Sequence, residues 1–398
     1  MSGFENRRAA YKLPPGAAID RSQTQAARRA KALEEQKRRR AQRIESERHI
    51  DLFADLSLGN SEDEDREGDE HQVLREGVGH LASLVQSSST STSALPGPAP
   101  EQPPRKVHRK KRGGKRTNPW ADQCMYAELL EMSADESRMS IDGTCADDEG
   151  DALPPDLETA WVAVAPVPSG KRCLVVCLQG SGPAGVVPNT TLRSRVVGKP
   201  LMPRFPSPLP SDTILDCILD EHWQETGILH VLDVLKWKGQ DVADCETTFR
   251  FWWRDTRLSE LPPPRPAPST TNEGGHHFAY PSTFLPVSYH TSTSYSSLLT
   301  HVIPRARAPY TTIVTLPPPE NGAMDTGEPV RSQATLRSDG LLLYVAAAIY
   351  EPGTSPLSLW VPNAAWYPLA QQAEVMDEDT PTSMDVFERY HISAIYAD

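Results

Sequence analysis

The stretch that decides the fold is Asp212–Arg257, which reads DTILDCILDEHWQETGILHVLDVLKWKGQDVADCETTFRFWWRDTR. Thr213–Leu219 and Ile228–Leu235 are rich in Ile, Leu and Val, and the loop Glu221–Gly227 between them is short. Apolar runs of this length, separated by polar residues and a glycine, predict two antiparallel strands. Thr247–Trp253 is predicted to be a further strand, on which its two adjacent tryptophans would face opposite sides. We therefore expect an antiparallel sheet at the centre of the chain.

Strand patterns continue on both sides of this stretch. The further predicted strands are Ala160–Ala165, Arg172–Leu178, Leu341–Ile349 and Leu357–Val361. The segment Ala121–Met132 is predicted to be a short amphipathic helix, while residues 261–283 and 316–330 are predicted to be loops. Residues 119–370 are therefore predicted to form one α+β domain that is mainly antiparallel β.

The composition favours one folded domain over the two or three that 398 residues could hold. Only 38% of the residues are hydrophobic and 37 are prolines, so much of the chain cannot belong to a packed core. Basic and acidic residues number 13 and 6 in 1–50, 2 and 11 in 51–103, 8 and 0 in 104–118, and 18 and 36 in 119–398. The chain thus divides into a basic arm, a disordered linker, the domain and an acidic tail: 1–55, 56–118, 119–370 and 371–398.

The arm is predicted to be a long helix, because residues 19–58 contain no Pro or Gly and are rich in good helix formers. Asp20 or Ser22 could serve as its N-cap. Its apolar stripe is thin, so we expect it to order on a partner and to gain little from packing on its own domain. The cations predicted to contact that partner are Arg28, Arg29, Lys31, Lys37, Arg38, Arg39, Arg40 and Arg43.

Three interpretations of these cations remain open. They could form a solvated tail, bind the phosphates of a nucleic acid, or bind an acidic groove of a protein. Glu34, Glu35, Glu45 and Glu47 favour the protein partner, because carboxylates would repel phosphate. The basic run Arg105–Arg116 resembles a short nuclear-localisation or RNA-contacting segment.

Several classes of protein are disfavoured by the sequence. It has no run of about 18 apolar residues and no apolar segment near its N-terminus, so we expect neither a membrane span nor a secretory signal. The six cysteines are scattered, with no CxxC pair and no histidine at zinc spacing. We therefore expect buried thiols in a nuclear or cytosolic protein, with no metal or other cofactor.

Motifs for catalysis are also missing. No GxSxG, P-loop or HExxH motif is present. Ser338–Tyr344, SDGLLLY, resembles a strand motif of covalent nucleotidyltransferases of the guanylyltransferase and ligase group. The nucleophilic Lys-x-Asp-Gly tract of that group is absent, however, and no lysine follows Leu343. A nucleotide-shaped fold without its nucleophile is better suited to binding than to catalysis.

Asp212–Arg257 resembles the core of the snurportin family, which are import adaptors for spliceosomal small nuclear ribonucleoproteins. The resemblance extends over most of 119–365 and, more loosely, over 5–55. Its further motifs are Gly170-Lys171-Arg172, Arg204-Phe205, Ser338–Tyr344 and Gly353–Trp360 (GTSPLSLW). It implies a guanylyltransferase-like domain that binds the 2,2,7-trimethylguanosine cap of small nuclear RNA, and an N-terminal helix that binds importin beta.

The same resemblance implies further properties. An exportin would return the protein to the cytoplasm, so it would shuttle between nucleus and cytoplasm, with no enzymatic activity and no DNA or membrane partner. Residues 119–398, with a net charge of −18, should repel long RNA, which fits a protein that recognises the cap alone. Two other functions stay open: a divergent nucleotidyltransferase that caps or decaps RNA, and a nuclear scaffold that binds protein.

The resemblance also implies a set of site residues. In the family, the Trp of a Gly-Ser/Thr-x-Pro-Leu tract stacks on the cap base, and Trp360 holds that position here. Methylation at N7 makes guanine cationic, so stacking on a Trp gains cation–π attraction as well, ~1–3 kcal/mol. A Leu-Ser-Glu-Trp tract that lines the family's site aligns with residues 126–129, so that Ala127 replaces the Ser and Leu129 replaces the Trp.

Two arginines complete the set. A family lysine lies near the cap triphosphate, and Arg193 is the preferred replacement for it, with Arg195 and Lys199 as alternatives. Arg172 matches a residue of the family's Gly-Lys-Arg motif, and it could either contact the cap or be structural.

Overall fold

The computed structural model describes residues 24–58, 118–132, 153–178, 187–262, 269–272, 275–316, 330–363 and 381–397. The chain divides into two units, residues 1–42 with 117–398 and residues 43–116. Of the second unit, residues 43–58 are described, and they are helical. Most of the predicted linker, 56–118, therefore lies outside the described residues.

Within the described residues, most elements belong to the domain. The helices are α1 (Gln25–Leu58), α2 (Leu157–Ala160), α3 (Trp223–Thr226), α4 (Thr247–Ser259), α5 (Tyr295–Ser297), α6 (Ile303–Arg307) and α7 (Ser383–Ala397), and a π-helical turn, Leu298–Val302, joins α5 to α6. The strands are β1 (Met125–Leu129), β2 (Trp161–Pro168), β3 (Gly170–Cys177), β4 (Thr190–Ser194), β5 (Thr213–Asp220), β6 (Ile228–Trp237), β7 (Gln240–Asp241), β8 (Ser269–Asn272), β9 (Gly275–Phe278), β10 (Thr283–Pro286), β11 (Tyr289–His290), β12 (Tyr310–Leu316), β13 (Val330–Leu336), β14 (Ser338–Val345) and β15 (Gly353–Pro362).

Two main sheets carry the domain. One has the strand order β1-β15-β14-β2-β11, and the other has the order β10-β6-β5-β3-β4 with β7 paired to β6. The pairs β1 with β15 and β10 with β6 are parallel, and the other described pairs are antiparallel. β5 and β6 pair across the short loop Glu221–Gly227, as the sequence predicts. The prediction of an α+β, mainly antiparallel domain is confirmed.

The core lies on both faces of the five-stranded sheet. One apolar cluster joins the two sheets, and it includes Val164, Ile218, Leu232, Leu342 and Trp360. Alternate residues of β14 and β15 point the other way, into a cluster with the helices α6 and α7. The five-stranded sheet is therefore a middle layer, and its strands read as nearly continuous apolar runs.

Helix α7 belongs to the second of these clusters. Met384 and Phe387 are fully buried, and Arg307 pairs with Asp385 at 2.7 Å and with Glu388 at 2.6 Å. The structure thus corrects the predicted acidic tail, 371–398, because its last part packs on the domain. Asp385 and Glu388 of α7 are only partly buried, while Met384, Val386 and Phe387 are buried.

The predicted helix over Ala121–Met132 is wrong, because Met125–Leu129 forms β1. This strand pairs in parallel with β15, and both of its faces are buried. A strand that is buried on both faces lacks the alternation of polar and apolar residues. Periodicity alone cannot then distinguish it from a helix segment.

The predicted strand Thr247–Trp253 is also wrong, because these residues begin the helix α4. Arg250, Phe251, Arg254 and Leu258 are buried at helical spacing on one face of it. Threonine and aromatic residues favour a strand by propensity, and the two buried arginines hide the apolar stripe of the helix. Their partners lie on other elements, which the local sequence does not reveal.

The long helix α1 is confirmed, but its predicted independence of the domain is wrong for its first half. The backbone N–H of Ala27 donates to the Thr24 hydroxyl at 3.2 Å, so Thr24 caps the helix, while Asp20 and Ser22 lie outside the described residues. Ala32 and Leu33 pack against the core cluster that contains α7. Buried polar side chains make much of the contact, which a count of apolar residues misses. No described helix is long and apolar enough to cross a membrane.

Candidate functional site

The predicted site residues Ala127, Leu129 and Trp360 come together where β1, β15 and β14 meet. Trp360 is the register partner of Leu129 on one side and of Leu342 on the other. The backbone N–H of Leu130 donates to the Trp360 carbonyl oxygen at 3.0 Å. Ala127, Leu342 and Trp360 belong to the apolar cluster between the sheets, and Leu129 packs against it. The fold thus unites residues that lie more than 230 positions apart in the sequence.

Burial determines what this arrangement can do as it stands. Trp360 is only 3% exposed, and Ala127 is 2% exposed. Without a family resemblance, a Trp in this strand pattern is more often a core residue than a ligand platform, and the structure places Trp360 in the core. A ligand base can reach the face of this ring only after neighbouring groups have moved.

Gly340 makes room for the Trp360 indole. Its φ of 145° is rarely adopted by residues with a side chain. A Cβ atom at this position would lie 3.0 Å from Cη2 of Trp360 and would collide with the carbonyl oxygen of Val361. The glycine of the SDG tract therefore has a structural reason, which is the close approach of β15.

The other residues of the SDG tract tie two turns together. The Ser169 hydroxyl, in the turn between β2 and β3, makes a short hydrogen bond to the Asp339 carboxylate. The backbone N–H of Asn363 donates to the Asp339 carbonyl oxygen at 2.9 Å, and its side-chain amide donates to that of Ser338 at 3.2 Å. These contacts give the motif a structural role at the end of the sheet, with no lysine in the tract to act as a nucleophile.

Arg172 is bonded inside the protein. It is 1% exposed, and its Nε and Nη2 atoms each donate to the Asp216 carboxylate at 2.7 Å. Nη2 also donates to the carbonyl oxygen of Met125 at 2.9 Å, at the start of β1. The hydroxyl of Tyr350 donates to Asp216 at 2.7 Å, and burial, together with the Asp216 charge, raises the pKa of Tyr350. This geometry favours the structural alternative for Arg172.

Arg193 lies in a different region from Trp360. Its Nη1 atom donates to the Gly198 carbonyl oxygen at 3.2 Å, and its guanidinium lies 5.7 Å from the ring centroid of Trp120. Trp120 precedes β1, whereas Trp360 pairs with Leu129 at the end of that strand. Arg193 is partly exposed, so its charge is partly accessible to solvent.

Four of the five described cysteines are buried thiols, and the fifth, Cys245, is only partly buried. Cys124, Cys173, Cys177 and Cys217 are free and buried, while Cys145 lies outside the described residues. Burial raises the pKa of all four thiols, that of Cys173 to about 12. They are therefore protonated at neutral pH and poor nucleophiles. In the described part of the chain, no three or more His, Cys, Asp or Glu side chains cluster so as to hold a metal ion.

Half of the predicted partner-binding cations of α1 contact the domain. Arg28 pairs with Glu128 at 2.9 Å and with Glu131 at 3.2 Å, Arg29 lies 5.3 Å from the ring centroid of Trp161, Arg39 pairs with Glu351 at 2.9 Å, and Arg40 pairs with Glu246 at 3.2 Å. The others are exposed: Lys31, Lys37, Arg38 and Arg43.

The domain side of this contact is not predicted by the sequence. Glu128 is only 4% exposed, and it accepts hydrogen bonds from both Arg28 and Gln25. The residues lie about a hundred positions apart, so no local pattern could pair them. The one available signal was a carboxylate between two apolar residues, Ala127 and Leu129, since a buried carboxylate requires a cationic or hydrogen-bonding partner.

A comparison with protein families finds a match to part of the chain. Residues 151–278 match a family model described as "Snurportin1, m3G cap-binding domain". The match extends from before α2 to the end of β9, so it contains Arg172 and Arg193, while β1 and Trp360 lie outside it. Over these residues it agrees with the resemblance found in the sequence, and it supports cap binding.

Proposed function

We propose that the chain is a nuclear import adaptor of the snurportin family. In this proposal the domain binds the 2,2,7-trimethylguanosine cap of spliceosomal small nuclear RNA, and α1 binds importin beta. The family match over residues 151–278 carries the proposal. The neighbouring positions of Leu129 and Trp360 on β1 and β15 support it.

The chemistry of the cap suits the residues near Trp360. Its N7-methylated base is cationic, and an indole face attracts a cation by stacking and cation–π interaction. The two methyl groups on the exocyclic nitrogen remove its hydrogen-bond donors. Ala127 and Leu129 provide an apolar surface that suits those methyl groups. A monomethylated cap would bury an unpaired NH₂ group there, at a cost of ~1–3 kcal/mol.

Cap binding requires this region to open, because the Trp360 ring is 3% exposed. We expect the cap base to displace neighbours of the indole, so that the ring exchanges contacts with the core for contacts with the base. Binding should therefore change the fluorescence of Trp360. The triphosphate would lie toward Arg193, which is partly exposed, and Lys199, which is exposed.

The exposed cations of α1 support the importin-beta part of the proposal. Lys31, Lys37 and Arg38 lie on the solvent side of the helix, where they are free to meet an acidic groove. Glu35 pairs with Arg38 and Arg39 within the helix, so the charges of Lys31 and Lys37 are not neutralised by this carboxylate. In this proposal the protein travels between cytoplasm and nucleus, with an exportin for its return.

Cap binding is tested by titrating trimethylated and monomethylated cap dinucleotides into the full chain. We expect a clear preference for the trimethylated cap, and a roughly ten- to hundredfold weaker affinity for Trp360→Ala. Because Trp360 is a core residue, Trp360→Leu serves as a second variant that keeps the site apolar without the indole. Trp252→Ala is the matched control, since Trp252 is 51% exposed on α4. Equal affinity for both caps, or full affinity in both Trp360 variants, would refute the cap site.

Importin-beta binding is tested by charge reversal on the solvent side of α1. The variant Lys31→Glu/Lys37→Glu/Arg38→Glu leaves the docked side of the helix unchanged and should lose importin-beta binding while it keeps cap binding. The control Lys238→Glu/Arg305→Glu/Arg331→Glu makes the same change of charge at exposed positions on the domain. If both variants weaken importin beta equally, the effect is one of net charge and the arm is not the binding site.

The enzyme alternative is tested with the same protein. Transfer of a labelled nucleotide from GTP to the protein or to RNA would revive the nucleotidyltransferase interpretation. Such transfer would require a nucleophile other than the lysine that the SDG tract lacks.

A further inference from the structure

The first half of α1 lies on the domain through a single helical face. Gln25, Arg29 and Gln36 are 4%, 9% and 3% exposed, and their spacing of four and seven residues places them on one side of the helix. Ala32 and Leu33 lie between them and pack against the core cluster. The exposed cations Lys31, Lys37 and Arg38 lie on the opposite side of this segment. The helix therefore has a docking face and a solvent face.

At one end, Gln25 closes the free edge of β1. Its side-chain amide donates to the carbonyl oxygen of Leu129 at 2.9 Å and accepts from the backbone N–H of Glu131 at 3.3 Å. β1 is the edge strand of its sheet, and the Leu130 N–H between these two groups already bonds to Trp360 on the other side. The glutamine thus satisfies backbone groups that an uncovered sheet edge would leave to solvent.

An ion pair reinforces this end of the contact. Arg28 bonds to Glu128 at 2.9 Å, and the two side chains are 9% and 5% exposed. Burial would lower the pKa of Arg28, but its hydrogen bond to Glu128 and the charges of Glu128 and Glu131 outweigh that effect, so the pKa is raised. A charge pair of this kind is costly to separate unless each partner finds a replacement.

The other end is held by a polar contact with the backbone. The Gln36 side-chain amide donates to the carbonyl oxygen of Ile349 at 3.4 Å and accepts from its N–H at 3.1 Å. Arg39 then pairs with Glu351, although both side chains are substantially exposed. Bonds to backbone groups at both ends fix the register of the helix as well as its position.

We propose that this docking is autoinhibitory: the domain and importin beta compete for residues 25–39 of α1. A receptor that encloses the helix contacts both of its faces. While the helix is docked on the domain, such a receptor cannot reach Arg28 or Arg29. The apparent affinity of the receptor then equals its affinity for the released helix multiplied by the fraction of molecules in which the helix is released. The identity of the receptor rests on the proposed function, whereas the docking itself does not.

The experiment uses the full chain, and its first variant changes the domain only. Glu128→Gln/Glu351→Gln removes one acidic partner at each end of the contact and leaves every cation of α1 in place. Glu225→Gln/Glu260→Gln is the matched control, since both residues are exposed and lie outside the contact. Gln36→Ala is a second variant, which cuts the other end of the contact should the Glu128 change disturb folding. Hydrogen exchange of residues 25–39 and the affinity for importin beta are measured for each protein.

We expect slow exchange of this segment in the unchanged protein and in the control, with exchange at least tenfold faster in Glu128→Gln/Glu351→Gln and in Gln36→Ala. Both variants should bind importin beta several-fold more tightly. Exchange at an unprotected rate in the unchanged protein would show that the helix does not dock. Faster exchange with an unchanged receptor affinity would overturn the competition. If no version binds importin beta, the proposed receptor is wrong and the competition falls with it, while the exchange rates still decide the docking.

Discussion

The arginines of the domain and the arginines of the arm have the same chemistry but different surroundings. Arg250 is fully buried and forks onto Asp233, with Nε and Nη2 both within 3.2 Å of the carboxylate. Arg39, on α1, makes an ion pair of 2.9 Å with Glu351, yet its side chain is 51% exposed. Water compensates the loss of a partner in the second case and cannot do so in the first. The charge of Arg250 is therefore structural, whereas that of Arg39 stays accessible to a partner.

Replacing Arg250 should produce the largest effect. Arg250→Met leaves the Asp233 carboxylate buried without its partner, and it removes the hydrogen bond to the carbonyl oxygen of Ala348 at 2.9 Å. We expect the free energy of unfolding to fall by about 3–5 kcal/mol, measured by urea denaturation. Arg257→Met, on the same helix but partly exposed, should change it much less. Equal losses in the two variants would show that burial is not what separates these arginines.

Replacing Arg172 separates a structural role from a binding role. Arg172→Met should destabilise the domain by a similar amount, about 3–5 kcal/mol, because Asp216 then stays buried without its cation. We expect the fraction that remains folded at low temperature to bind the trimethylated cap with nearly unchanged affinity. A tenfold loss of cap affinity with normal stability would instead make Arg172 a contact of the cap.

Much of the fold could be predicted from the sequence, because short apolar runs indicate strands. The prediction failed at β1 and α4 for one physical reason: the partners that decide those elements lie far away in the chain. β1 is a strand because β15 supplies hydrogen bonds to it, and α4 buries arginines whose partners lie on β6. Propensity and period are local properties, and tertiary contacts override them.

The candidate site was predictable in part. The family resemblance places Trp360 and Leu129 in one site, and the structure brings them side by side. Their role in cap binding stays a prediction. The burial of Trp360 was not predictable, since no local feature tells a core tryptophan from a platform. The docking of α1 was equally hidden, because its contact depends on Gln25, Arg28 and Gln36, which a solvated helix could also contain.

Replacing Arg28 should have an intermediate and local effect. Arg28→Gln breaks the pair with Glu128, but the helix keeps its contacts through Gln25 and Gln36. We expect faster hydrogen exchange of residues 25–39 by about tenfold and no change in the urea midpoint of the domain. Lys31→Gln removes the same charge from the solvent face and should leave the exchange unchanged. A lowered midpoint in Arg28→Gln would mean that the helix and the domain unfold as one unit.

Replacing Arg39 should produce the smallest effect. Arg39→Gln loses exposed ion pairs with Glu35 and Glu351, and water takes their place. Glu35 and Arg39 hold their charges at neutral pH, because their mutual hydrogen bond lowers the pKa of the carboxylate and raises that of the guanidinium. We expect no resolvable change in the urea midpoint, and a slightly faster exchange of α1 that disappears at 0.5 M salt, where exposed charges are screened. The opposite outcome is an exchange rate that rises as much as in Arg28→Gln and does not change with salt. It would mean that Arg39 behaves like the buried arginines. Exposure would then be a poor guide to which charges of the arm are free to bind.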